Sequence, residues 1–253
     1  MDLVLDIGNF RIKGALFEED NIVEFFSFPP EKEALKNQLD GKQITSLLIS
    51  SVTQKGSSLI SEALNELGLP FHLLDFSTVN VKLEVDEPEE VGHDRIANVY
   101  GALFRFPQND CIVVDLGTAV TFDVIGKEGI YLGGAIYPGV DIGAKALGEY
   151  TDKLPHVTPK VAPDSVAKTT AGHIQSGLYW GLLGAIERIT YEMRSISDNP
   201  NNVKVIATGG LLKTFNDIDF TKALSDLVDL IDPALTLIGI HEIMKEQKEK
   251  YHV

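Results

Sequence analysis

The sequence predicts an α/β protein made of two copies of one unit, and three observations lead there. An apolar run, Cys111-Ile112-Val113-Val114, ends on the carboxylate of Asp115, and Gly117 then allows a tight turn into a second strand-like stretch that reaches Asp123. The same order stands near the N-terminus, where Leu3-Val4-Leu5 runs into Asp6, then Gly8, then a strand-like stretch over residues 11–17. Each copy continues through a short polar turn, residues 18–21 or 126–129, into a third apolar strand, and each half later holds a similar strand, residues 46–51 or 203–210. This self-similarity marks a duplication. The domains are accordingly expected over residues 1–110 and 111–253.

The remaining elements follow from local signals. Residues 31–39 suit a short helix after Pro29-Pro30, and Leu59, Ile60, Ala63, Leu64 and Leu67 form one helical face that Gly68 and Pro70 terminate. Residues 71–74 read as a strand, in which His72 is a packed core histidine more often than a ligand. Ile96, Val99, Tyr100, Leu103 and Phe104 have helical spacing, with Asp94 near the start and Pro107 just past the end. Residues 140–150 read as a helix. The stretch 151–169 carries Pro155, Pro159 and Pro163 without periodicity, which marks a long loop. A helix over about 170–194 follows, striped by Ile174, Leu178, Leu182, Ile186 and Ile189. Its Gly177, Gly181 and Gly184 would admit a second backbone, and its Trp180 suits a core and a dimer contact equally. The last helix is expected to start with Asp232 as cap and Pro233 in the first turn, and to end in a solvated charged face over 245–250.

Composition narrows the functions. With 253 residues, 44% of them hydrophobic, the chain can bury two modest cores. No hydrophobic run is long enough to span a bilayer, and Asp2-Leu3-Val4-Leu5 begins strand-like without a basic region or cleavage site, so a soluble cytoplasmic protein is expected. A formal charge of −15 argues against nucleic acid and acidic membranes as partners, because phosphate binding needs clustered Lys and Arg. The single cysteine, Cys111, lies in an apolar run and reads as a small core residue.

Two carboxylates, Asp6 and Asp115, end equivalent strands, each followed by a glycine-containing turn. If the halves face each other, the turn N–H groups suit phosphate oxygens and the carboxylates suit a cation, with Lys13 and Thr118 as further donors. The plain alternative is two ordinary β-turns, which the repetition weighs against. A glycosidase would use the same acids, but sugar clefts are lined with aromatics and there is one tryptophan. Neither a P-loop nor a Gly-x-Gly-x-x-Gly fingerprint follows a strand.

With these residues in view, the sequence resembles the type III pantothenate kinases of the actin-like ATPase superfamily over nearly its whole length. Asp6-Ile7-Gly8-Asn9 with Lys13 is similar to the family's first phosphate motif, Gly92-His93-Asp94-Arg95 to its Gly-x-Asp-Arg motif, and Asp115-Leu116-Gly117-Thr118-Ala119 to its second phosphate motif. The stretches 133–139, 170–177, 207–210 and 232–237 continue in the family's order. The resemblance implies two ribonuclease-H-like domains, each a mixed five-stranded sheet with flanking helices. It also implies ATP with magnesium bound between them, a required potassium or ammonium ion, and a homodimer that helps to build the pantothenate pocket. By position, Asp94 would be the general base, with Gly92, His93, Arg95 and Thr170 on pantothenate. Asp6, Ile7, Gly8, Asn9, Phe10, Arg11, Ile12, Lys13 and Thr118 would meet ATP, and Asp115 would hold the monovalent cation. The implied activity is phosphorylation of pantothenate, the first step of coenzyme A synthesis. A related small-molecule kinase and a nucleotide-binding regulator descended from such kinases are the rivals. The family hydroxyl after Gly-Asn is Phe10 here, its tyrosine before the acidic turn is Val85, its Asn-Thr pair is Thr169-Thr170, and His173 stands for an alanine.

Overall fold

The computed structural model describes residues 1–8, 11–51, 54–162, 164–215 and 218–251. The chain forms two compact units, one of residues 1–82, 86–105 and 234–253, the other of 83–85 and 106–233.

The first unit is built on β1 (Asp2–Ile7), which pairs antiparallel with β2 (Ile12–Glu18) and parallel with β4 (Ser46–Ser51). With β3 (Asn21–Phe28) and β5 (His72–Leu73) the sheet order is β3-β2-β1-β4-β5. Both faces are covered, which is why the strands are apolar at nearly every position. Leu3, Leu5, Ile7, Leu47 and Ile49 pack on α1 (Lys32–Leu39) and α2 (Gln54–Glu66). Val4, Ala15, Phe17 and Leu48 pack instead in a cluster with Ala97 of α3 (His93–Arg105) and with Leu237, Ile238, Ile240 and Ile243 of α8 (Leu235–Tyr251).

That second layer places α8 in the first unit, whereas the sequence assigned residues 111–253 to the second. Glycines make the docking: a Cβ on Gly239 would stand 1.8 Å from the Ala97 carbonyl oxygen, and one on Gly101 would stand 2.5 Å from that of Leu235. Lys248, in the stretch expected to be solvated, is half-buried, and its Nζ donates to both carboxylate oxygens of Asp2 at 2.9 Å. His241, buried, stacks on Phe17 with ring centroids 3.9 Å apart. The last helix starts at Leu235, two residues later than the expected start at Pro233, and the Asp232 N–H donates to the Ala207 carbonyl at 2.8 Å, next to β11 (Leu230–Ile231). His72 is exposed rather than packed.

In the second unit β7 (Cys111–Leu116) pairs antiparallel with β8 (Ala119–Ile125) and parallel with β10 (Lys204–Thr208), and β9 (Ile130–Pro138) follows β8. The order β11-β10-β7-β8-β9 repeats that of the first sheet strand for strand, and β6 (Lys82–Leu83) makes a sixth strand beyond β9. Ile112, Val114, Leu116 and Phe122 pack on Tyr179, Leu182 and Ile186 of α5 (Thr170–Met193). Phe215 and Phe220, around two helices the sequence did not predict, α6 (Leu211–Thr214) and α7 (Ile218–Ser225), complete this core. α4 (Val140–Glu149) lies beside α5, and residues 151–169 form no regular element among those described. Among the described residues no helix is long and apolar enough to cross a membrane.

Candidate functional site

The two aspartates occupy the same position in the two sheets. In the first unit Asp6 is flanked in register by Lys13 of β2 and Ser50 of β4. The β1–β2 turn is closed by a hydrogen bond from Gly8 N–H to the Arg11 carbonyl at 3.1 Å. Arg11 folds onto β3, its Nε donating to Ser27 Oγ and its Nη2 to the Ser27 carbonyl, both at 2.9 Å. Ile7 and Ile12 send their side chains into the core, so what they can offer a ligand is backbone. Asn9 and Phe10 lie outside the described residues. Lys13 brings a cation beside Asp6, the kind of charge that a phosphate group pairs with.

In the second unit Asp115 is flanked by Thr121 of β8 and Thr208 of β10. Thr121 Oγ1 donates to Asp123 Oδ2 at 3.0 Å, and Tyr131 donates its hydroxyl proton to Asp123 Oδ1 at 2.9 Å, which satisfies a fully buried carboxylate. The loop after Asp115 is pressed between two backbones. A Cβ on Gly209, whose φ is +108°, would stand 2.5 Å from Asp115 Oδ1 and 2.5 Å from Leu116 N. One on Gly139 would stand 2.1 Å from the Thr118 carbonyl oxygen and 2.9 Å from that of Gly117. Only glycine admits such an approach. Oxygen donors are thus gathered around Asp115 with hydroxyls, not a lysine, on its flanks, and this donor set fits a hard cation. Thr118 is exposed at the turn.

Asp94 lies in the first turn of α3, and its Oδ1 accepts the Arg95 N–H at 2.9 Å. Gly92 makes that geometry possible, because a Cβ there would come within 2.6 Å of Asp94 Oδ1. The Gly-x-Asp-Arg pattern is therefore a corner that folds a carboxylate back over a helix start. His93 opens the helix, and His93 and Arg95 are half-buried. Val85 touches β9, a Cβ on Gly133 lying 3.6 Å from its Cγ1.

Thr169, not Thr170, caps α5, accepting the Gly172 N–H at 3.1 Å, and Thr170 is exposed. Gln175 and Ser176 hold the long loop by donating to the carbonyls of Thr158 and Ser165 at 3.1 and 2.8 Å. A groove of about 490 Å³ runs between the loop and α5, lined by Val166, Ala167, His173, Ser176, Gly177 and Trp180 among others. Trp180 is 42% exposed, which decides against a core role within this chain. A Cβ on Gly177 or Gly184 would meet nothing within 4 Å.

The sequence profile of one family, described as type III pantothenate kinase, matches residues 2–192. The chain belongs to the type III pantothenate kinase family. A family member from Desulfosudis oleivorans is 32% identical over 259 residues, covering 96% of this chain and 98% of its own. The solved structure of a conserved candidate Baf family transcriptional activator from Campylobacter jejuni matches with a TM-score of 0.56 at 19% identity, covering 98% of this chain and 99% of that one. The activator of 2-hydroxyisocaproyl-CoA dehydratase from Clostridium difficile, solved with bound ADPNP, matches with a TM-score of 0.52 at 13% identity over 100% and 97%. The chain shares the fold of these two structures, with two halves of matching strand order.

Within this pantothenate kinase frame, neither Asp6 nor Asp115 belongs to a cluster of three metal-type side chains among the described residues. The one such cluster is Asp20, His241 and Glu242, and Lys245 Nζ already neutralises its carboxylates at 2.5 and 2.6 Å. Sequence reasoning placed Ser50, Thr208, Gly139 and Gly209 in the repeated strands or the motif stretches but gave none of them a role of its own. The first two could have been found by aligning the fourth strand of each repeat, where a hydroxyl interrupts an apolar run at one matching position.

Proposed function

We propose that this chain phosphorylates pantothenate at its primary hydroxyl, with ATP as phosphoryl donor, and so performs the first step toward coenzyme A. The observation that carries the reading is the family match together with the Gly92 corner, which holds the Asp94 carboxylate in a fixed pose. Asp94 accepts the hydroxyl proton as the phosphoryl group arrives, an assistance that is typically worth about 10²–10⁴ in rate. Arg95 grips the pantothenate carboxylate through its planar fork, with Gly92 and His93 shaping that end. Asp6 and Lys13, with the backbone amides from Ile7 to Ile12, receive the polyphosphate, and Thr118 donates to ATP from the second turn. Asp115 with its surrounding oxygens would hold a potassium or ammonium ion, which together with magnesium would supply neutralising charge to the phosphates. Thr170 reaches pantothenate from a neighbouring subunit. The homodimer this requires is supported by the open glycine face of α5 and by exposed Trp180 beside the groove. The expected compartment is the cytoplasm.

The test is a phosphorylation panel of pantothenate, hexoses and acetate with ATP, read by product mass and run with and without potassium. Phosphopantothenate as the dominant product, formed faster with potassium, supports the reading, whereas turnover of a hexose but not pantothenate sinks it. A second reading, a nucleotide-binding regulator, is favoured by Phe10, which lacks the family's hydroxyl. It predicts ATP binding without pantothenate-dependent ADP release.

A further inference from the structure

Among the described residues three buried side-chain polar atoms have no hydrogen-bond partner: Ser50 Oγ, Thr208 Oγ1 and Asn98 Nδ2. The asparagine is anchored through its other end, its Oδ1 accepting the Thr236 hydroxyl at 2.9 Å between α3 and α8. The two hydroxyls have no such anchor, and they stand at one and the same place in the duplicated unit. Ser50 in β4 is the parallel-strand partner of Asp6, and Thr208 in β10 is the parallel-strand partner of Asp115. Both residues are 0% exposed.

Register partners on neighbouring strands project from the same face of a sheet, with the strands roughly 4.8 Å apart. Each short hydroxyl side chain therefore stands beside an aspartate of similar length. The residues before each are apolar and fully packed, Leu47-Leu48-Ile49 in one strand and Val205-Ile206-Ala207 in the other. Alanine or valine would fit the pattern and would spare the cost of burying a hydroxyl unpaired. Chance would not repeat that cost at both copies. At Asp115 the other flanking hydroxyl is already committed, since Thr121 donates to Asp123, which leaves Thr208 as the uncommitted donor of the pair.

We propose that Ser50 and Thr208 are positioning residues of the nucleotide site. When ATP and its cations are taken up, each hydroxyl donates to the carboxylate beside it, Ser50 to Asp6 and Thr208 to Asp115. That bond fixes the carboxylate rotamer and leaves its outer oxygen for the ligand. The two hydroxyls have no hydrogen bond of their own to give up when they turn to the carboxylates. The inference rests on the proposed assignment of Asp6 and Asp115 to ATP and its cations, and it adds the residues that aim them.

The experiment compares Ser50→Ala, Thr208→Val and Thr208→Ser with the natural protein, using MgATP with potassium chloride as the probe. Melting temperature is read without and with the probe, and kcat and KM for ATP are measured with pantothenate present. Loss of a hydroxyl is expected to leave the unliganded melting temperature unchanged or higher, because an unsatisfied buried group has been removed. It should shrink the ATP-induced rise in melting temperature and lower kcat/KM for ATP about tenfold, the scale of a hydrogen bond to a charged group. Thr208→Ser should behave like the natural protein. A normal ATP-induced rise and normal ATP kinetics in both Ser50→Ala and Thr208→Val would overturn the proposal, and so would a lowered unliganded melting temperature with unchanged ATP response. Absence of pantothenate turnover in the natural protein would count against the proposed substrate alone, since the ATP-induced shift still reads the role of the two hydroxyls.

Discussion

The hairpins that carry Asp6 and Asp115 share one place in one topology, yet they are built for different partners. Asp6 has a lysine on one side and a hydroxyl on the other, so a cation is at hand within the sheet. Asp115 has hydroxyls on both sides and no lysine at either register position, an oxygen set that suits a cation. The turns differ as well. The first is closed by its own Gly8–Arg11 hydrogen bond and tethered to β3 through Arg11, while the second is wedged by the Gly139 and Gly209 backbones. Duplication preserved the strand order, and the side chains at the two flanking register positions set what each copy can bind.

The largest effect that would break this comparison concerns the wedge. Gly209→Ala would drive a Cβ into Asp115 and Leu116 at a φ that disfavours any side chain, and Gly139→Ala would strike the Thr118 carbonyl. Each should cost about 3 kcal/mol or more, from overpacking plus, at Gly209, left-handed strain. Gly8→Ala, whose Cβ would meet the Arg11 carbonyl oxygen at 3.2 Å, should cost about 1 kcal/mol or less. Urea midpoints of the three variants decide it, and equal losses would show that the two turns are supported alike.

A smaller effect separates the units by acid sensitivity. Burial holds the His241 pKa below its ordinary value, against the opposing pull of the Asp2 carboxylate. The imidazole also faces Asp20, Glu242, Lys245 and Lys248 through the ion pairs at the end of α8. A base with a depressed folded pKa binds fewer protons folded than unfolded. Its stabilising contribution is therefore complete above about 6.5 and is lost as pH falls through the folded value. The urea midpoint should drop between pH 7.5 and pH 5.5, and His241→Gln should flatten that drop. Asp2 acts in a lower window. Its burial would raise its pKa, but the Lys248 and His241 partners hold it below the usual carboxylate range, so its contribution is lost only as the solution falls below about 3.8.

The smallest effect bears on the first turn alone. The second turn presents the Thr118 hydroxyl, whereas the first has Phe10 where the family carries a hydroxyl. Phe10→Thr should improve kcat/KM for ATP by about tenfold or less, one hydrogen bond's worth near 1.4 kcal/mol. A fall in melting temperature without kinetic gain would mean that the phenylalanine serves packing.

Much of this was legible in the sequence because the duplicated strands are buried on both faces and leave long apolar runs that end on Asp6 and Asp115. The Gly92–Arg95 corner was legible as a motif, although the reason for its glycine, the Asp94 carboxylate folded back above it, needed coordinates. Three features were hidden by the physics of packing. The docking of α8 in the first unit depends on Gly101 and Gly239 meeting across 138 positions of sequence, which no local period reports. Asp232-Pro233 carries a helix-start signal, but the Asp232 N–H extends the pairing with Ala207 and α8 begins only at Leu235, so the helix starts later than the signal implies. The wedge around Asp115 joins residues 115–118 to 139 and 209, and each glycine alone reads as an ordinary turn. Thiol chemistry was correctly discounted at Cys111, since burial pushes its pKa up to about 12.

The measurement that tests the central claim most directly is pantothenate-dependent ADP release by the natural protein and by Asp94→Asn, with melting temperatures and ATP binding recorded in parallel. If Asp94 takes the substrate proton, the variant loses about 10²–10⁴ in turnover while its melting temperature and ATP affinity stay close to those of the natural protein. Near-normal turnover by Asp94→Asn would contradict the account and reduce the Gly92 corner to a structural start for α3.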